Sequence, residues 1–137
     1  MSIDTTLGAL VEAEPALRRI STQDSMSERT KYHVAKLSKL VAAEVKQFHE
    51  QRAAMFEELG VERECRTDFE RQQHGATVRE IPAAKVPEFR QRVLELGSLP
   101  VTLPWRPVRS VDIPKALASD LVDLGPLCEL VEPDSPG

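Results

Sequence analysis

Apolar positions set the first constraint on this chain. Val34, Leu37, Val41, Val45, Phe48, Met55 and Leu59 recur in steps of three and four, with Arg52 the one interruption, and no Pro or Gly falls between Ser25 and Gly60. That is the period of a helix buried along one face. It predicts a long amphipathic helix over 25–59, roughly 50 Å at 1.5 Å per residue. Lys36, Lys39, Lys46, Glu50 and Glu57 lie on the opposite face. Ser25 and Glu28 have the spacing of a capping box, and Gly60 suits a left-handed residue just past the last turn.

The flanking pattern is shorter-ranged. Thr5 or Thr6 can cap a short helix through Ala13. Pro15 either opens a second piece to Ile20 or sits inside one kinked helix, because Leu10, Ala13, Leu17 and Ile20 keep a stripe across it. Residues 61–75 are dense in charge, with Val61, Cys65 and Phe69 four apart; another helical turn or two, a loop, or one arm of a hairpin all fit. Thr77 to Ile81 alternates as a short strand that Pro82 ends. Ala83 to Leu96 reads as a second helix with Pro87 in its first turn. Its stripe of Val86, Phe89, Val93 and Leu96 is the expected partner of the first. Leu37, Val41, Val45 and Phe48 are predicted to pack on Phe89, Val93 and Leu96 as a helical hairpin.

After Gly97, Leu99, Val101 and Leu103 alternate with Pro100, Thr102 and Pro104, and Pro107 and Pro114 follow. Proline cannot donate to a sheet ladder, so 98–114 is expected as edge strand or extended arm, laid on its own domain or on a neighbour. Ala116 to Leu124 is a short helix, broken by Gly125-Pro126. The expected fold class is α+β, mainly α: a long helix paired with a second as a hairpin, a small β element, and an extended Pro-rich C-terminal arm with a short terminal helix. It is read as one helical domain over 1–131, with long helix 25–59 and arm 98–114, followed by a tail at 132–137.

Composition sharpens this. Aromatic content is only 4%, so the long helix is expected to find part of its burial on another chain. Net charge is −4, and 110–137 carries six acids against the single Lys115. Such a segment either docks on a basic protein surface or stays solvated. It disfavours nucleic acid, which needs clustered Lys and Arg. Cys65 and Cys128 lack C-x-x-C spacing, and the N-terminus has no apolar leader. No run reaches the roughly 18 apolar residues of a membrane span. The chain is therefore expected in the cytoplasm when made, with reduced thiols and no membrane contact.

Candidate chemistry is sparse. His49-Glu50 begins the zinc motif H-E-x-x-H, but the second histidine position is Ala53. Cys65 and His74 offer two metal ligands without a third nearby. No nucleophile elbow, phosphate loop or dinucleotide glycine pattern is present. Arg18-Arg19 with Lys31, Lys36 and Lys39 could form a basic patch, but acids interleave it. The expectation is a protein with no catalytic residues, no metal, no cofactor and no small-molecule substrate. Trp105, flanked by prolines, is either a local core plug or an interface anchor. With Val101, Leu103 and Val108 it forms the candidate interaction set.

Several segments carry a family pattern. They are Lys31-Tyr32-His33-Val34-Ala35-Lys36 and Leu40, then Glu44-Val45, Phe48, Arg52, Met55 and Gly60. Gly75 to Ile81, Val86 to Leu96, Val101-Thr102-Leu103, and Leu121-Val122-Asp123-Leu124 with Leu127 follow. Over most of 7–131 the chain resembles a family of small tailed-phage proteins, and departs from its pattern in the proline-rich 99–114 stretch and at Pro126. The resemblance implies a phage context and carries no activity or site residues. In that context the expectation is an auxiliary structural protein of the particle, in head, neck or tail, found in the virion and made in the bacterial host cytoplasm. Its partners would be other phage structural proteins, with a homo-oligomer as a further option. The alternative is a soluble phage accessory protein, an assembly chaperone or an inhibitor of a host protein, gripping a client through its helical face.

Overall fold

A computed structural model of the chain describes residues 2–131; the tail at 132–137 lies outside them. The fold is α+β and mainly α. The single domain expected over 1–131 divides into two compact units. One is built from the described residues up to Phe48 and from Leu96 onward, the other from His49–Glu95.

In the first unit, β1 (Ile3–Thr6) leads into α1 (Leu7–Ser21), one helix with Pro15 inside it. Thr6 caps it, its Oγ1 accepting the Ala9 N–H at 3.3 Å. The first part of α2 (Glu28–Leu59) follows. The expected Ser25 capping box is not formed. Ser27 is the cap, its Oγ accepting the Thr30 N–H at 3.2 Å, so the helix starts two residues later than the spacing suggested.

The proline-rich segment folds back onto its own unit. Strand β4 (Pro100–Leu103) pairs antiparallel with β1 in the register Ile3↔Leu103 and Thr6↔Pro100, a two-stranded ribbon in which Pro100 sits at the end. Strand β5 (Val108–Arg109) pairs parallel with β6 (Cys128–Glu129), which follows the short helix α5 (Ala118–Leu124). Ser110 Oγ extends that pairing by accepting the Val131 N–H at 2.8 Å.

One apolar cluster holds this unit. Leu10, Ala13, Ala16, Leu17 and Ile20 of α1 meet Val34, Leu37, Val41 and Val45 of α2, closed by Ile3, Leu103, Val108, Ile113, Leu124 and Leu127. This corrects the predicted packing of Leu37, Val41 and Val45 on Phe89 and Val93. The α1 stripe and the inward residues of the folded-back arm cover that face instead. Each Leu, Ile or Val side chain removed from water here contributes about 1.5–3 kcal/mol. Arg19 of α1 holds the buried Asp120 of α5 through Nη2 at 2.6 Å and Nε at 3.0 Å. Gly8 and Gly97 let two backbones meet, since a Cβ on Gly8 would lie 3.0 Å from the Gly97 carbonyl oxygen.

In the second unit, the rest of α2 is followed by β2 (Val61–Glu64), α3 (Asp68–His74), β3 (Thr77–Glu80) and most of α4 (Val86–Gly97). Of the open readings of 61–75, a hairpin arm and a helical turn both occur: β2 pairs antiparallel with β3, and α3 fills the connection. Thr67 Oγ1 caps α3 by accepting the Glu70 N–H at 3.1 Å, and Gly75 ends it at φ 85°. The helices α2 and α4 form the expected hairpin-like pair, but through later residues of α2. Phe56 meets Phe89 edge-on at 6.4 Å, and the Arg52 guanidinium lies 5.7 Å from the Phe89 ring. Arg52, the interruption in the apolar stripe, is thus a cation over an aromatic face. Gly60 does not adopt the left-handed conformation expected of it. Glycine is required there for space, because a Cβ would sit 2.6 Å from the Phe56 carbonyl oxygen and 3.1 Å from the Arg79 side chain.

Candidate functional site

Residues at the start of α2 and in the turn after β4 build a pair of adjoining surface clefts on the first unit. His33, two turns into α2, is buried. Its Nε2 donates to the Arg106 carbonyl at 2.8 Å, and its Nδ1 accepts from Arg106 Nε at 3.2 Å. A ring that donates from one nitrogen and accepts at the other is neutral, with its hydrogen on Nε2. The Trp105 indole stands edge-on to the imidazole at 5.5 Å. Its backbone N–H bonds the Leu103 carbonyl at 2.8 Å, which turns the chain sharply after the strand.

Two open clefts share Arg29, His33 and Arg106. One, about 440 Å³, is walled by Tyr32, Pro104 and Trp105. The other, about 400 Å³, continues past Arg109 to Asp112 and Glu129. Tyr32 is 62% exposed, with the Lys36 ammonium 5.9 Å from its ring centroid. Arg29 and Arg109 are exposed and make no ion pair among the described residues.

The candidate interaction set divides. Leu103 and Val108 are buried in their own core, Val101 is partly buried against it, and Trp105 rests on that core while walling the cleft. Three of the five cations in the expected basic patch are paired with acids. Arg18 pairs with Glu14, Arg19 with Asp120 and Lys31 with Glu28. Sequence reasoning missed Arg29, Tyr32, His33, Arg106 and Arg109. The run Trp105-Arg106-Pro107-Val108-Arg109 was the available signal, since arginines between prolines beside the single tryptophan are unusual in a segment otherwise read as apolar.

The second unit holds a cleft of about 550 Å³ whose apolar wall is Phe56, Ile81 and Phe89 and whose polar lining is His49, Arg52 and Glu57. Its polar framework centres on Arg63, which bonds Glu70 Oε2 through Nη2 at 2.6 Å and also grips Glu80. The Arg63 hydrogen bond, together with the Arg66 backbone N–H at 3.2 Å, holds the Glu70 carboxyl below the usual carboxylate range. Both cysteines are buried and free. Burial, and secondarily the neighbouring Glu129 carboxylate, pushes the Cys128 thiol up, so it stays protonated and weakly nucleophilic. Among the described residues no group of three His, Cys, Asp or Glu is placed to hold a metal ion, and no helix is long and apolar enough to cross a membrane.

Comparison with known protein families, with characterised proteins and with solved structures finds no match.

Proposed function

We propose that the chain is a non-enzymatic auxiliary structural protein of a tailed-phage particle, in its head, neck or tail, and that it bridges neighbouring subunits. The observation that carries this reading is the set of large apolar side chains left in solvent on both units, Leu117, Val122 and Leu130 on the first as well as Phe69 and Leu94 on the second. In the second unit Phe69 is 69% and Leu94 68% exposed, and a cleft with Phe56 and Phe89 in its wall lies open. Exposed apolar side chains and an open cleft are what a partner's surface can cover. The family pattern along α2 supplies the phage context, and the Trp105 cleft adds a second contact region on the first unit.

Mass spectrometry of purified particles tests this. The reading predicts the protein at stoichiometric copy number in the virion. Its absence from finished particles, with the protein present in the infected-cell cytoplasm, would favour the soluble accessory reading instead.

A further inference from the structure

We infer that the cleft between the start of α2 and the Trp105–Arg109 segment docks an acidic peptide segment of a partner protein, its carboxylates on Arg29 and Arg106 and an apolar side chain against Tyr32 and Trp105. The inference rests on the reading that this chain works by binding protein neighbours, and it names the surface and the chemistry.

Charge complementarity carries it. The cleft walled by Tyr32, Pro104 and Trp105 has Arg29 and Arg106 on its lining and no acid. Arg29 has no carboxylate partner among the described residues. Arg106 is held in place: its Nε is engaged by His33 Nδ1, and its own carbonyl takes the His33 Nε2–H. That leaves the two terminal amino groups of its guanidinium to grip a carboxylate with two hydrogen bonds. Because Arg106 is positioned before any ligand arrives, less of its conformational freedom is lost on binding. The neighbouring cleft adds Arg109 but also Asp112 and Glu129. An acidic ligand is therefore drawn to the Arg29–Arg106 end and repelled from the far end, which gives the groove a direction.

The aromatic wall argues against a bare inorganic anion as the ligand, because Tyr32 and Trp105 offer it nothing. Nucleic acid is disfavoured by the chain's net charge of −4 and by the carboxylates in the adjoining cleft. Phosphate binding along a strand needs a continuous cationic track.

The test uses the intact chain and the fluorescein-labelled hexapeptide Glu-Asp-Leu-Phe-Asp-Glu, followed by anisotropy. The emission of Trp105, the only tryptophan, reports location. The comparison probes are the same peptide with Gln and Asn in place of its acids, inorganic phosphate, and a short oligothymidylate. Saturable binding of the acidic peptide is expected, with a change in Trp105 emission and weakening as salt rises. R29Q and R106Q should each weaken it about tenfold, the effect of losing one charge-assisted contact. R29Q alters an exposed side chain and serves as the variant whose fold is not in question. Equal binding of the neutral peptide, undiminished binding by R29Q, or no saturable anisotropy change would overturn the inference. So would phosphate or the oligonucleotide competing at lower concentration than the peptide. Incorporation into particles separates this from the broader reading. Wild type in particles with R29Q and R106Q incorporated equally would sink the cleft assignment alone. Peptide binding by a protein absent from particles would sink the virion assignment alone.

Discussion

The two units are held by different forces. The first has α1, the early part of α2, four short strands and α5 around one apolar cluster, with Arg19 paired to the buried Asp120. The second has only Leu59 and Cys65 among its buried apolar side chains. It relies on Arg63 between Glu70 and Glu80, Arg79 on Glu57 and Arg92 on Glu58. Exposed ion pairs contribute about 0–1 kcal/mol each, far less than a buried Leu. The difference teaches that one helix can be core along its first half and surface along its second. What decides is whether the facing segments bring apolar side chains to cover it.

Leu37→Ala should cause the largest effect. It opens a cavity in the first unit, and about 2–5 kcal/mol of global stability should be lost in a denaturant melt. A loss below about 1 kcal/mol would mean that the cluster is not what holds the fold. Gly60→Ala should cost about 1–3 kcal/mol by overpacking against the Phe56 carbonyl and Arg79. That loss should be confined to the second unit, seen as added protease cleavage within 61–80 while α1 stays intact.

The effect of pH sharpens the comparison further. Glu70 has its folded-state pKa depressed by Arg63, so its contribution is fully present above the unfolded carboxylate value. It is lost as pH falls through the folded value, which lies lower. Acidification below the usual carboxylate range should therefore loosen β2, α3 and β3 first. A first unit that opens at higher pH than the second would break this account. Phe69→Ser should be the mildest change, within about 0.5 kcal/mol in the isolated protein because the ring is exposed. Under the proposed structural role its signature is reduced incorporation into particles, and a clear drop in melting temperature would show that Phe69 is covered.

The sequence made the long helix, the second helix, the Thr77 strand and a cap at Thr5 or Thr6 legible, because each rests on local period or a cap residue. It misplaced what α2 packs against. The α4 stripe and the α1 stripe have the same spacing, and only long-range topology chooses between them. Prolines correctly ruled out a central strand at 98–114. They could not say that Leu103 and Val108 turn inward on the chain's own core, because a two-stranded ribbon tolerates Pro100 at its end. Gly60 follows the last turn as a left-handed glycine would, yet its cause is a close approach, which no local pattern reveals. At the candidate cleft only Trp105 was legible. The bonds from His33 to Arg106 span 73 positions.

Native-state hydrogen exchange, read amide by amide, tests the central contrast most directly. The account predicts that the slowest amides lie in α1 and in α2 before Phe48, exchanging only on global unfolding. Those of β2, α3, β3 and α4 before Leu96 should exchange through a lower-energy opening. Equal protection in both sets, or slower exchange within 61–80 than in α1, would contradict it.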